Sequence, residues 1–452
     1  MFWDKDISVP GKKIKTSKIQ RLTQIGSTLA KATGKYLVKK TLNKTGQFKG
    51  GDSDLKAKVS VARDIIQSMG ELKGALMKMG QMLSITEDFI LPPEVSTLFK
   101  ELQQNAPSMP RSDLDGVFIK SFGKIPEGIF KNFDRVPVAA ASIGQVHRAI
   151  LPSGENVAVK VQYPNILKAT ENDFENLDKI KNFFGLLFPG AVDISNLVRE
   201  MKESLLLECD YERERKELED FKELLKDEYP AIKVPKTFKD FSSKVVLTME
   251  FMEGDSFEKS LEYPQNKKDQ LGQLLFDAYM FTLFGKKKIH SDPQNGNYFF
   301  THEEIKLMDF GSTKEFSHEF IKIYAAILLS IEDDDFGLYR KSILQLGIFH
   351  EDDSHDIFER HFQLIKETYG PYTKEGCYPL LDVNPFQAIK MFLKTIDLKK
   401  RKFPREELVL LDRSTLGVFL KLKKWKSNVN WVDSMKKYRG PIDLEIRDES
   451  KV

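Results

Sequence analysis

His290-Ser-Asp-Pro-Gln-Asn-Gly-Asn297, followed shortly by Met308-Asp309-Phe310-Gly311, is the stretch that decides the reading of this 452-residue chain. Between the two motifs lie the apolar run Asn297-Tyr-Phe-Phe300, the polar tip Thr301-His-Glu-Glu304 and the run Ile305-Lys-Leu-Met308, which read as two strands joined by a turn. Such a hairpin returns Asn297 and Asp309 to the same end. Carboxylate and amide oxygens are the ligands that hard divalent cations take, and a cation beside a phosphate offsets the charge that grows on its oxygens during transfer. Asn297 and Asp309 are therefore candidate metal ligands, and Asp292 is a candidate to orient an attacking hydroxyl or water.

An Asp five residues ahead of an Asn, with a second Asp before Phe-Gly about a dozen residues on, is also the residue kit of protein-kinase-like phosphoryl transfer. Asp-Phe-Gly alone would be a chance tripeptide in a polar loop. Both motifs at this spacing argue against that.

Length and composition set the bounds. A chain of 452 residues exceeds one typical core and accommodates two lobes with extensions. A charged fraction of 30% against 41% hydrophobic describes a globular protein, and the net charge of +3 carries no overall basic signal, so nucleic acid is not an expected partner. The charge is unevenly spread: residues 1–50 hold 12 Lys/Arg against 2 Asp/Glu, or +10, which leaves −7 for the remainder. Two cysteines, Cys209 and Cys377, make no disulfide framework and no metal-ligand spacing. No signal peptide is expected at Met1-Phe-Trp-Asp-Lys5, and runs such as Leu274 to Phe284 fall short of the roughly 18 apolar residues of a membrane span.

Along the chain, Ile19, Leu22, Ile25, Leu29, Ala32 and Tyr36 recur at helical steps with lysines interleaved, which predicts a basic amphipathic helix. It either packs on the body with its lysines in solvent or touches an anionic membrane through residues 18–40. A second helix runs from about Leu55 to Ser84 and contains Lys78-Met-Gly-Gln81. Strands follow around Asp134 to Ala149 and at Val157-Ala-Val-Lys160-Val161. A kinase-type site covers the phosphates with a small-residue loop and binds them with a lysine on the next strand. Here the loop is Ala139-Ala140-Ala141-Ser142 with Gly144 as its glycine, and the lysine is Lys160. From Ile194 to about Lys226 the pattern predicts one long charged helix carrying Glu208, Asp210 and Glu214, with Glu217, Glu219 and Asp220 on a solvated face. Val245 to Gly254 reads as a buried strand and hinge: the backbones of Glu250 and Met252 would meet an adenine edge, with Met249 behind it. Lys286, Lys287 and Lys288 either attract phosphate or lie in solvent. Beyond Gly311 a helix begins almost at once, with no long activation segment and no Ala-Pro-Glu, and the tail after Pro441 is expected to be loose.

With Lys78-Met-Gly-Gln81, Ala139-Ala-Ala-Ser-Ile-Gly-Gln-Val146, Glu208-Cys-Asp210, His290 to Asn297 and Asp309-Phe-Gly311 in this order, the chain resembles the UbiB (aarF-type) atypical kinases. Leu91-Pro-Pro-Glu94 and the Ala106-Pro107 break also fit. The resemblance implies an α+β, two-lobed protein-kinase-like fold with a helical extension over the active site. It divides the chain into residues 1–54 (basic helix and linker), 55–130 (extension with the Lys-x-Gly-Gln motif), 131–254 (N-lobe to hinge) and 255–452 (helical C-lobe). It further implies that Lys160 binds nucleotide phosphates and pairs with Glu214, that Lys78 and Gln81 sit against Glu208 and Asp210, that Asn297 and Asp309 hold magnesium, and that Asp292 takes the catalytic position.

Members of that family resemble ATPases or small-molecule and lipid kinases supporting quinone and isoprenoid-lipid metabolism. ATP or ADP with Mg2+ is the implied cofactor set, and a prenyl lipid or quinone precursor the implied partner. Many bacterial members end in transmembrane helices and this chain is not expected to, so its expected place is the cytoplasm or the periphery of a membrane. Two other readings stand beside this one. One is an ATP-binding pseudokinase scaffold; the other is a Ser/Thr protein kinase, disfavoured by the short segment after Gly311. A P-loop NTPase is excluded, since no Gly-x4-Gly-Lys-Ser/Thr occurs.

Overall fold

The structure is a computed structural model that describes residues 109–140, 143–167, 205–369, 373–380 and 406–449. The basic helix, the extension with Lys78 and Gln81, and Ala141 and Ser142 lie outside the described residues. The described residues divide into two compact units, one drawn from Phe2–Arg215 and Lys236–Phe251, the other from Lys216–Pro235 and Met252–Val452.

The first unit opens with α1 (Arg111–Phe122), which is stopped by Gly123 in the left-handed conformation at φ 75°. Strands β1 (Asn132–Phe133), β2 (Ala139–Ala140), β3 (Gly144–Ile150) and β4 (Asn156–Gln162) follow, and then α2 (Tyr211–Leu225), which continues into the second unit. Of the next two strands, β5 (Ile232–Lys233) belongs to the second unit and β6 (Val246–Glu250) to the first. The sheet is antiparallel in the order β1-β3-β4-β6, with β2 beside β3. Strand β4 has a neighbour on each side and buries every residue from Val157 to Gln162, which is why its sequence is a continuous apolar run broken only by Lys160 and Gln162. Gly144 serves this packing: a Cβ there would stand 2.2 Å from the Val161 carbonyl oxygen, so only glycine lets the strands meet.

Phe118, Phe130 and Phe133 cluster beneath the sheet at ring separations of 5.5 to 6.1 Å, and His147 stacks on Phe133 at 4.9 Å. His147 is fully buried, and burial pushes its imidazole down to about 4. Its neutral tautomer fits both partners: Nδ1–H donates to Asp134 O at 2.7 Å, while Nε2 accepts from Gln145 Nε2 at 2.7 Å. Gln145 Oε1 in turn accepts the Met109 N–H at 2.8 Å.

The expected single helix from Ile194 to Lys226 is corrected by the structure. Residues 205–208 are helical, the chain breaks at Cys209-Asp210, and α2 starts afresh at Tyr211. Asp210 is the cause: its Oδ1 accepts the N–H groups of Glu212 and Arg213, each at 3.1 Å, as an N-capping carboxylate does. Asp210 therefore ends one helix and begins the next.

The second unit carries α3 (Phe257–Ser260) and α4 (Gln265–Met280), the latter running on as a π-helical turn over Phe281–Gly285. Next come β7 (Lys288–His290), the hairpin β8 (Tyr298–Phe300) and β9 (Ile305–Leu307), and β10 (Thr313–Glu315), which pairs antiparallel with β7. The remainder is α5 (His318–Glu332), α6 (Phe336–Gln345), α7 (His355–Tyr369), β11 (Cys377–Tyr378), α8 (Glu406–Trp425), β12 (Val429–Asn430) and α9 (Trp431–Glu449). Phe257, Phe300 and Trp425 form one core cluster, with Trp425 Nε1 donating to Ser260 Oγ at 2.8 Å; Phe276, Phe419 and Trp431 form a second.

The expectation of a loose tail after Pro441 also fails. Helix α9 runs through Pro441 to Glu449, because Ile442 and Ile446 bury on one face while Glu445 bonds Lys322 at 2.9 Å and Arg447 pairs with Asp333 at 2.7 Å. Among the described residues no helix is long and apolar enough to cross a membrane.

Candidate active site

In the first unit Lys160 faces Val146 on β3 and Leu247 on β6, and its side chain meets Glu214 on the opening turns of α2. Lys160 Nζ lies 2.7 and 3.0 Å from the two Glu214 oxygens, with both residues buried, and 5.1 Å from the centre of the Tyr211 ring. A desolvated ammonium is held in place only with a partner of this quality. Glu208 is buried at the end of the preceding helical turn, two residues before the capping Asp210. Ala139 and Ala140 pair in β2 with Val146 and Gln145, so these two are strand residues rather than part of the expected loop. Met249 is buried in β6. The Glu250 N–H already donates to Lys236 O at 2.8 Å, so that group is engaged within the first unit. Met252, which belongs to the second unit, is buried.

In the second unit the opening motif forms one bonded loop. Asn297 Nδ2 donates to both the backbone O and the Oδ2 of Asp292, at 3.1 Å each, which turns the amide oxygen of Asn297 away from Asp292. The hairpin places Asn297 and Asp309 at one end, as expected: Met308 N–H donates to Asn297 O at 3.0 Å. Asp309 Oδ1 accepts the Gly311 N–H at 2.9 Å, and its backbone carbonyl accepts from His290 Nε2. Burial holds the His290 imidazole below its usual range, so the ring donates through Nε2 with Nδ1 unprotonated. Ser291 is tied to Ser312 through backbone (3.0 Å) and hydroxyl (2.8 Å).

The donor set fits a hard cation. Asn297 presents an amide oxygen and Asp309 a carboxylate fixed by its own loop, and among the described residues no group of three or more His, Cys, Asp or Glu side chains could hold a metal by itself. Magnesium is commonly bound by one or two side chains, with phosphate and water completing its octahedron.

Two charged groups read differently from their sequence. Lys288 does not lie in solvent: it pairs with Glu217 at 2.9 Å and Asp220 at 3.5 Å. Glu217 is accordingly removed from the solvated face. The residues that sequence reading missed are on α8. Arg413 donates through Nε (3.0 Å) and Nη2 (2.6 Å) to Ser291 O, with Nη2 3.8 Å from Asp292 Oδ1; Ser414 Oγ donates to His290 O at 2.9 Å; and Lys421 donates to Pro293 O. Burial pushes the Lys421 ammonium down to about 7 against the opposing pull of Asp292. No local motif marks these residues. Their only signal is the helical spacing of polar side chains within an apolar run.

An antiparallel sheet carrying a buried Lys–Glu pair and a helical unit carrying a bonded Asp–Asn–Asp-Phe-Gly loop define a protein-kinase-like fold with a mixed α+β architecture. Residues 101–343 match the ABC1 atypical kinase-like domain, and the chain belongs to that family. It is 28% identical to the atypical kinase COQ8, mitochondrial, of Saccharomyces cerevisiae over 94% of this chain and 86% of that one. It is 31% identical to COQ8 of Schizosaccharomyces pombe over 81% of this chain and 60% of that one. Among solved structures it is similar to Rv3197 of Mycobacterium tuberculosis in complex with erythromycin, with a TM-score of 0.55 and 24% identity over 86% of this chain and 98% of that one, a likeness of fold.

Proposed function

We propose that the chain is a magnesium-dependent atypical kinase or ATPase of the UbiB type, which binds ATP and passes its terminal phosphoryl group to water or to a small hydroxyl. The observation that carries this reading is the Asn297 amide, whose nitrogen bonds Asp292 and so turns its oxygen away as a ligand atom. In this reading Lys160, held by Glu214, binds nucleotide phosphates; Asn297 and Asp309 hold Mg2+; and Asp292 orients the attacking oxygen. When bound, the metal supplies charge neutralisation at the phosphate oxygens. Lys78 and Gln81 with Glu208 and Asp210 are proposed to occupy the space that a peptide would need. Where the acceptor is not water, we propose a prenyl lipid or quinone precursor and a setting in quinone or isoprenoid-lipid metabolism, on membership of the atypical kinase family. Residues 18–40 are proposed as a peripheral contact with anionic membrane.

The test is ATP turnover by the purified chain with and without Mg2+, and with and without phenolic lipid in detergent. Metal-dependent turnover supports the proposal. Nucleotide binding without turnover in any of these conditions would instead assign an ATP-binding scaffold.

A further inference from the structure

We infer that one face of α8 is the positioning frame of the catalytic loop, and that Arg413 is a positioning residue acting through Asp292. This rests on the phosphoryl-transfer reading above.

Positions 413, 414, 417 and 421 fall on one side of a helix, and each reaches the loop around Asp292. Ser414 takes the carbonyl of His290, Arg413 that of Ser291 and Lys421 that of Pro293, so backbone carbonyls on both sides of Asp292 are held from one rigid element. Gly417 makes the approach feasible: a Cβ there would come within 2.1 Å of Pro293 Cβ. The Asp292 carboxylate is then held from two directions. Asn297 donates to its Oδ2 from the metal-ligand side, and Arg413 stands 3.8 Å from its Oδ1 on the helix side.

A guanidinium with 7% exposure is a costly filler, since an apolar side chain would occupy the same volume without desolvating a charge. Its two-pronged grip on Ser291 O, beside the carboxylate, gives it a different use: it removes the freedom of the loop and of Asp292 together. Reacting groups held within fractions of an ångström gain large rate factors, and misplacement by about 1 Å can cost roughly a hundredfold.

The experiment compares Mg2+-dependent ATP turnover of the full chain with that of Arg413→Met, Arg413→Lys, Asp292→Asn and the double variant Asp292→Asn/Arg413→Met, with nucleotide affinity and thermal midpoint measured on each. The expected result is a kcat for Arg413→Met lowered about ten- to a hundredfold, with KM for ATP within about twofold of the wild type. Arg413→Lys, which keeps the charge and one donor, should recover part of the loss. In the Asp292→Asn background Arg413→Met should cost little more, because its effect passes through Asp292. A merely structural Arg413 would instead lower the midpoint and multiply the two losses in the double variant. That result, or a kcat of Arg413→Met equal to wild type, overturns the inference alone. If Arg413→Met does not fold, the same split is read on Arg413→Lys. A wild-type chain without turnover overturns the phosphoryl-transfer reading, and this inference with it.

Discussion

Lys160 and Asp292 are both largely buried and both have a partner, but they are held by opposite means. Lys160 projects from a strand and meets Glu214, 54 residues on, through an ion pair between side chains of regular elements. Asp292 lies in a loop whose backbone carbonyls are gripped by a helix 122 to 128 residues downstream. In the first region the geometry lies in two side chains, and removing either one takes away the bidentate contact that holds the other's buried charge. In the second it lies in the backbone, and the loss of one contact is shared among several. The first region should therefore be fragile in stability, and the second fragile in catalysis.

The largest expected effect breaks the first region. Glu214→Ala should lower unfolding free energy by about 3–5 kcal/mol, because the Lys160 ammonium keeps the cost of burial and loses the carboxylate 2.7 Å from it. Lys160→Met with Glu214→Leu should recover most of that stability in chemical denaturation without restoring turnover. An E214A midpoint equal to wild type would mean that the pair is not held as the structure shows.

A smaller effect separates the regions by pH. The buried His147 is held down to about 4 in the folded chain against an ordinary 6.5, so the unfolded chain binds the proton first as pH falls. Stability should be fully present above about pH 6.5 and should decline by about 3 kcal/mol as pH falls towards 4. Lys421 is also lowered, from 10.5 to about 7, so its contribution should rise as pH increases from about 7 towards 10.5. Denaturant midpoints across pH 4–10, with His147→Asn flattening the acid limb and Lys421→Met the alkaline limb, check both signs. A profile unchanged by either substitution would contradict the assignment.

The smallest effect lies at the surface of the first unit. Arg135 pairs with Asp115 at 2.5 Å and with Glu127, but these groups are partly exposed. Arg135→Ala should cost less than about 1 kcal/mol, with the difference shrinking further in high salt. A salt-insensitive loss of several kcal/mol would show that this network belongs with Lys160 rather than with the solvated surface.

What the sequence made legible follows the same division. Lys160, Glu214, Asp292, Asn297 and Asp309 announce themselves in short motifs whose spacing is set by one strand, one helix turn or one hairpin, and the hairpin bonds Met308 to Asn297 as that spacing requires. The break at Cys209-Asp210 was hidden because charged residues at helical steps on both sides mask an N-cap that only its bonds to Glu212 and Arg213 reveal. The α8 face was hidden for a deeper reason. Its acceptors are backbone carbonyls, which carry no side-chain signature, and they lie over a hundred residues away. Proline at 441 suggested a helix end, but burial of Ile442 and Ile446 and the pairing of Glu445 with Lys322 carried α9 past it.

The central claim is that Asn297 and Asp309 serve metal-dependent phosphoryl transfer. Its most direct test is the Mg2+-dependent ATP turnover of Asp309→Asn beside the wild type, with thermal midpoint and metal-free nucleotide binding measured on the same preparations. Turnover should fall by roughly a thousandfold or more, with the fold intact and metal-free nucleotide binding kept. Turnover in Asp309→Asn equal to that of the wild type would contradict it.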